Sequence, residues 1–409
     1  MSQHTKFDAQ KIRAQFPILK RQINGNPLAY LDNAASSQKP DAVLEAMQGQ
    51  MEHSYANVHR GLHTMANETT EAFETARTKV AGFLGAAEAN EIIFTKGATE
   101  ALNLVAYGLM GEIKAGDEII ITKMEHHSNI VPWHFLRERF GAVIKWVPVL
   151  EDGTLDLDAY KSLFSARTKV VSVVHMSNVT GTINPVRDMG KIAHDNGCIF
   201  VVDGTQAAVH FPVDVLDVDA DFYAMTGHKL YGPTGIGALY GKREMLERLQ
   251  PFNGGGEMIA DVFEDRITYA DIPHKFEAGT PPIIEAIGLG AAIDWLSGFD
   301  RAAIEAHETQ LYERALAGLR EVNAFRLIGN APNKGAVLSF TLEGAHAHDI
   351  AQILDKYGVA IRAGMHCTQP LMESFGVHST ARASFGIYNT EDEVDRLIAA
   401  VHKARKFLS

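Results

Sequence analysis

Ala220-Asp221-Phe222-Tyr223-Ala224-Met225-Thr226-Gly227-His228-Lys229-Leu230-Tyr231-Gly232-Pro233 passes from an apolar, strand-like run into a lysine flanked by glycines and closed by a proline turn. Glycine weakens a helix and proline ends one, so Lys229 does not read as the solvated end of a helix. Earlier in the chain Cys198-Ile199-Phe200-Val201-Val202 forms another apolar run, and it ends on Asp203. Around this pair the pattern alternates. Strand-like runs fall at 91–95, 118–122, 143–148, 169–175, 198–203 and 221–224, with helical runs between most of them, such as 186–196 closed by Gly197. Short β-rich runs alternating with helices predict an α/β fold with a mainly parallel sheet and right-handed crossovers. Ligands of such sheets sit beyond the carboxyl ends of the strands, which is where Asp203 falls.

Toward the N-terminus a short helix at 8–16 is stopped by Pro17. A small-residue loop, Asp32-Asn33-Ala34-Ala35-Ser36-Ser37, lets backbone approach a ligand. Helices are expected at 41–55 and at 67–83, the second ending at Gly85. Beyond the sheet, Gly254-Gly255-Gly256 and residues 276–282 mark an irregular segment, followed by one long helical region over 283–322. Strands at 336–341, 359–362 and 380–385 then mix with helices at 348–357 and 392–407. This reads as a second, smaller α/β domain joined by the N-terminal helix.

Composition narrows the function classes. The chain has 409 residues, 46% hydrophobic and 22% charged, with a net charge of −12. That is the profile of a globular protein with a large core and a poor match for nucleic acid or an anionic membrane. The first residues lack the apolar centre of a secretory signal, and no apolar run approaches the ~18 residues of a membrane span. Only two cysteines are present, Cys198 and Cys367, too few for a disulfide framework, so a reducing cytoplasm is the expected compartment.

Several residues carry chemistry. A desolvated lysine is an amine nucleophile suited to a Schiff base with an aldehyde, and a strand-end aspartate suits a protonated pyridine nitrogen. Together Lys229 and Asp203 suggest pyridoxal phosphate (PLP); a surface lysine and a turn aspartate are the plain alternative. Thr95-Lys96-Gly97-Ala98-Thr99 joins a strand to a helix through glycine, which makes either an anion site or an ordinary cap by Thr99. Neither G-x-G-x-x-G nor the P-loop pattern occurs. His126, in Met124-Glu125-His126-His127-Ser128-Asn129, can stack on a planar ring and move protons. A metal role for His126 and His127 is disfavoured because adjacent side chains diverge and no further ligands complete a zinc set. Asn178 and Gln206 can hydrogen-bond a ring hydroxyl. Cys198 lies inside a strand and reads as inert. Cys367, on a glycine-hinged loop, is expected to be exposed, with His366 beside it stabilising a thiolate. Arg382, a charge inside a strand-like run, offers a carboxylate a bidentate fork.

With these residues in view the chain resembles the Suf-type (group II, SufS/CsdA-type) cysteine desulfurases, of aminotransferase class V and PLP fold type I. The resemblance spans essentially the whole chain. It rests on residues 226–237 (Thr-Gly-His-Lys-Leu-Tyr-Gly-Pro-Thr-Gly-Ile-Gly), 125–133 (Glu-His-His-Ser-Asn-Ile-Val-Pro-Trp) and 202–207 (Val-Asp-Gly-Thr-Gln-Ala). Residues 59–63 (His-Arg-Gly-Leu-His), 276–281 (Phe-Glu-Ala-Gly-Thr-Pro) and 362–367 (Arg-Ala-Gly-Met-His-Cys) add to them.

The resemblance implies a large PLP-binding domain at 25–295 with a mainly parallel seven-stranded sheet. It also implies a smaller α/β domain at 296–409 and an N-terminal segment, 1–24, packing with the small domain. Lys229 would carry the cofactor covalently, Asp203 would pair with its ring nitrogen, Gln206 would contact the ring hydroxyl and His126 would stack on the ring near Asn178. Thr99, Thr226 and His228 would hold the phosphate, with Thr280 arriving from the other subunit of a homodimer. Arg382, helped by Ala34, Ala35 and Asn178, would hold the carboxylate of L-cysteine, and Cys367 would become a persulfide. The sulfur would pass to a SufE- or SufU-like acceptor protein for iron–sulfur cluster assembly, with L-alanine released. The alternatives are a selenocysteine lyase and a class V aminotransferase. Two departures stand out. Thr226 replaces the usual serine and keeps its hydroxyl. Ala98 replaces a common threonine and forgoes one phosphate hydrogen bond, worth about 1 kcal/mol and up to ~3 when charge-assisted.

Overall fold

The structure, a computed structural model, describes residues 7–408. Seven strands form the large sheet: β1 (Ile92–Thr95), β2 (Glu118–Thr122), β3 (Val143–Val147), β4 (Thr168–Val174), β5 (Ile199–Asp203), β6 (Phe222–Thr226) and β7 (Gly237–Gly241). Their spatial order is β1-β7-β6-β5-β4-β2-β3, and the pairings from β3 through β6 are parallel. β7 runs antiparallel to both β1 and β6. Ile119, Ile120, Ile121, Val170, Val171 and Val173 are fully buried, because helices cover both faces of a parallel sheet and the strands then read as continuous apolar runs. The covering helices show stripes at helical spacing: Val186–Asp195 buries Val186, Met189, Gly190 and Ala193.

β7 was not among the expected strands, and glycine explains both its concealment and its position. A Cβ on Gly237 would lie 2.6 Å from Gly97 Cα and 2.6 Å from Met225 O, so only glycine lets this strand press against the β1–helix loop. The expected helix at 67–83 starts earlier, as Thr64–Leu84, because the His63 side chain accepts from Ala66 N. It ends at Gly85, whose φ of 73° is the left-handed close that glycine permits. The long helical region expected over 283–322 consists of two helices, Ile283–Ser297 and Arg301–Arg320; Asp300 caps the second through Ala302 N.

The second sheet is antiparallel, with β8 (Phe325–Ile328), β9 (Val337–Leu342), β10 (Arg362–Gly364) and β11 (Thr380–Ser384) in the order β8-β9-β11-β10. β8 was not anticipated. The run expected at 359–362 is divided: Val359–Ala360 pairs with Ala29–Tyr30, and Arg362 onward joins the second sheet. The N-terminal helix Ala9–Arg13 meets the C-terminal helix Glu391–Leu408 through Arg13 and the buried Glu393, 2.8 Å apart. Phe16 packs among Tyr231, Trp295 and Tyr388, so this segment touches elements on both sides of the molecule. Among the described residues no helix is long and apolar enough to cross a membrane.

Candidate active site

The carboxyl ends of β1, β2, β4, β5 and β6 open into a cavity of about 820 Å³, closed on the far side by residues of β10, β11 and the loop after β10. Ala34, Ala35, Ala98, Thr99, His126, Asn178, Asp203, Gln206, Thr226, His228, Lys229, Cys367 and Arg382 all line it. Of the sequence-derived candidates only Thr280 does not: it is exposed, in the segment before the helix Ile283–Ser297.

At one end stands the N-terminus of the helix Ala98–Gly108. Gly97, with φ 151°, precedes it without a side-chain cap, and first-turn amides have no partner within a helix. Thr226 Oγ1 lies 3.3 Å from where a Cβ on Gly97 would stand, so the hydroxyl and the amides face one space. His228 is half-buried; burial first, then Lys229 and Lys39, bring its pKa down to about 4, leaving a neutral ring. This is a cradle of donors suited to a phosphate.

In the middle, the buried Asp203 accepts from Thr205 N at 3.0 Å. His126 Nδ1 accepts from Ser128 N at 3.1 Å, and burial followed by the Lys229 charge holds its pKa at about 4. Lys229 sits in a one-turn helix, Gly227–Lys229, whose His228 carbonyl is held by Ser37 N (3.1 Å), Ser36 Oγ and Ser37 Oγ (3.2 Å each) and Lys39 Nζ (3.0 Å). Burial lowers the Lys229 pKa to about 8; Asp203 pulls it up, and Arg382 and Arg362 push it down. An amine near neutrality beside a buried carboxylate is poised for imine and proton-transfer chemistry.

Arg382, buried within β11, donates from Nη1 to Asn178 O (2.9 Å) and from Nη2 to Asp32 Oδ1 (3.2 Å), while its Nε has no protein partner. Asn178 Oδ1 and Thr205 Oγ1 are likewise buried without partners, although Asn178 Nδ2 donates to His366 O at 2.9 Å. Three orphaned polar atoms in cavity-lining residues, next to a donor cradle and an amine–carboxylate pair, fit a polar cofactor carrying a phosphate. The small-residue loop has less to offer than expected. Ala34 N donates to Ser384 Oγ (2.9 Å), Ala34 O accepts from Gln206 Nε2 (2.8 Å), and Ala35 N donates to Asp32 O (3.1 Å).

Cys367 is exposed on the loop between β10 and the helix Gln369–Ser374. Its neighbour corrects one expectation. His366 is buried with its ring on Thr380 Oγ1 at 2.9 Å, and burial followed by Arg382 drives its pKa to about 2. A neutral imidazole held on Thr380 offers no cation to the thiol; the cations that line the cavity with Cys367 include Arg382 and Arg362. Cys198 is buried immediately before β5, as the strand reading anticipates, its thiol pushed up to about 11 by burial.

Two groups escaped sequence reading. Arg362 lines the cavity and stands directly opposite Arg382 across β10 and β11, a like-charge pair that favours an anion between its members. Asp32 tethers Arg382 from the small-residue loop, and burial raises its pKa against the opposing pull of that arginine. Arg362 opens a run already noted for its cysteine, but only the strand register shows its side to be that of Arg382. The rings of His126 and His127 are 6.4 Å apart. The tightest gathering of ligand-type atoms among the described residues is elsewhere, at His59, Glu74 and His274, where Glu74 is also taken by Arg77.

The aminotransferase class-V family matches residues 29–397. A Dickeya dadantii protein named cysteine desulfurase is 48% identical over 405 residues, covering 98% of each chain. Among solved structures, the cysteine desulfurase CsdA of Escherichia coli, in an S-sulfonic acid form, superposes with a TM-score of 0.93 at 41% identity, covering 99% of this chain and 100% of the other. The apo cysteine desulfurase of Thermococcus onnurineus NA1 gives a TM-score of 0.94 at 39% identity, covering 99% and 100%.

Proposed function

The chain belongs to the aminotransferase class-V family, and from that membership together with the cavity we infer that it is a PLP-dependent cysteine desulfurase. The observation that carries the reading is the convergence on one cavity of a lysine brought to a pKa of about 8, a buried carboxylate and an exposed cysteine from the facing loop. A plain transaminase has no use for the third group.

Bound PLP supplies an electron sink that loosens the Cα–H and Cβ–S bonds of L-cysteine. Lys229 would hold it covalently, Asp203 would keep a proton on the ring nitrogen, Gln206 would reach the ring hydroxyl and His126 would cover the ring face. Thr99, Thr226, His228 and the first-turn amides at Ala98 would take the phosphate. Arg382 would bind the substrate carboxylate through the Nε–H that has no protein partner, with the Asn178 amide N–H beside it and Ala34 and Ala35 shaping that wall. Lys229, as free amine, takes the Cα proton and returns protons as the product forms. The Cys367 thiolate attacks the substrate sulfur: an S–S bond forms, the C–S bond breaks with its electron pair kept on carbon, and protonation there gives L-alanine. The sulfane sulfur on Cys367 then passes to a SufE- or SufU-like acceptor for iron–sulfur cluster assembly.

The same proposal includes a cytoplasmic homodimer in which each exposed Thr280 completes the partner's phosphate cradle. It also includes the division into residues 1–24, 25–295 and 296–409. The deciding experiment is the intact mass of the holoenzyme after L-cysteine addition. Cys367 gains one sulfur that a reductant removes; absence of that gain while L-alanine accumulates overturns the role of Cys367.

A further inference from the structure

We propose that His127 is the latch that holds the Cys367 loop against the cavity, a positioning residue for the sulfur-accepting thiol; the proposal rests on Cys367 being that thiol. The loop is fastened at the cysteine and two residues beyond it by this one residue. His127 N donates to Cys367 O at 2.7 Å, and His127 Nε2 accepts from Gln369 N at 3.1 Å. The second bond replaces a missing cap. Gln369 opens the helix Gln369–Ser374, and Thr368, in the capping position, turns its hydroxyl back to Met365 O instead of onto the helix. The first helical amide is therefore satisfied from the facing turn after β2.

The two partners differ in stiffness. His127 begins a one-turn helix, His127–Asn129, rooted in a buried network: Glu125 accepts from Thr122 Oγ1 (2.6 Å), Asn129 Nδ2 (2.7 Å) and Val174 N (2.9 Å), and Asn129 Oδ1 accepts from Ser172 Oγ (2.6 Å). The loop, by contrast, holds His366 and Cys367 at φ of 51° and 57°, successive left-handed conformations that side-chain-bearing residues seldom adopt. A strained segment tied to a rigid post by few bonds relaxes when a tie is cut. Partial burial keeps the His127 ring toward its neutral form, the form able to accept from Gln369 N.

The test compares His127→Leu with His127→Gln in the PLP-loaded enzyme; glutamine can still accept from Gln369 N, leucine cannot. The first readout is the rate at which iodoacetamide alkylates Cys367 in the resting enzyme, which needs no turnover and so stands apart from the sulfur-acceptor assignment. The expected result is alkylation about fivefold faster in the leucine variant, the effect of one lost net hydrogen bond. Turnover of L-cysteine falls in kcat with KM held within about twofold, and glutamine restores both. Equal alkylation rates in leucine and wild type, or no rescue by glutamine, overturns the latch. Loss of yellow colour in both variants also overturns it, by making His127 part of the cofactor wall.

Discussion

Lys229 and Cys367 face one cavity from opposite sides of the molecule and are held in opposite ways. The lysine turn follows β6 directly, and four donors converge on the carbonyl just before it. The cysteine stands on an exposed loop, in a left-handed conformation, tied to the facing wall by a few bonds. The contrast fits the work proposed for each residue. A group that exchanges protons with one carbon is served by a fixed position, whereas a thiol that collects sulfur inside and delivers it outside needs a support that can let go.

The sharpest way to break this comparison is to delete each residue in turn. Lys229→Ala is expected to lower L-cysteine turnover by roughly 10³-fold or more, as loss of both the anchor and the general base requires. The yellow colour should then leave on dialysis. Cys367→Ala is expected to abolish sulfur release to a comparable extent while the colour stays. If the cysteine variant also sheds its colour, the two regions are not separable and the division of labour fails.

The next effect concerns the arginine between them. Arg382→Lys keeps the charge but loses the planar fork that reaches Asn178 O and Asp32 and whose Nε has no protein partner. A rise of about 10- to 100-fold in KM for L-cysteine is expected, the range for a lost charge-assisted hydrogen bond of ~1.5–3 kcal/mol. A matching fall in kcat with KM unchanged would instead place Arg382 on the thiol, whose charge it also feels.

The fixed side of the cavity was the legible one, and the reason is physical. β2, β4 and β5 are buried on both faces, so their apolar runs stand out and their ends mark the ligand edge, which brought Asp203, His126 and Lys229 into view. β7 was hidden because its two glycines, Gly237 demanded by the close approach to Gly97 and Gly241 by Leu246, dilute the strand signal. The break is marked in the sequence by Gly298 and the capping Asp300, but helical runs flank it so closely that the interruption was absorbed into one region. On the loop side, the sequence marks Cys367 and Arg382 but not the groups that meet them: Arg362, Asp32 and His127 act through register and through contacts between residues far apart in the chain. His366 was misjudged for the same reason. Adjacency in sequence placed it beside the thiol, and the positive φ of both residues turns its ring into the core.

The smallest effect tests the rigid side by pH. In the apo protein Lys229 has its pKa lowered from 10.5 to about 8, chiefly by burial. Below about pH 8 both folded and unfolded chains hold the proton, and the fold bears the full cost of a desolvated ammonium. Between about 8 and 10.5 the unfolded chain binds more protons than the folded one, so stability rises with pH through that window. Thermal melts of the apo enzyme from pH 7.5 to about 10.5 should therefore climb relative to those of Lys229→Met, which has no amine to titrate. Asp203→Asn removes the charge that pulls the lysine upward and should open the window at lower pH. Parallel melting curves for the wild type and Lys229→Met would mean that the lysine is solvated, and the pairing of a stiff, dry amine with a releasable thiol would lose its first half.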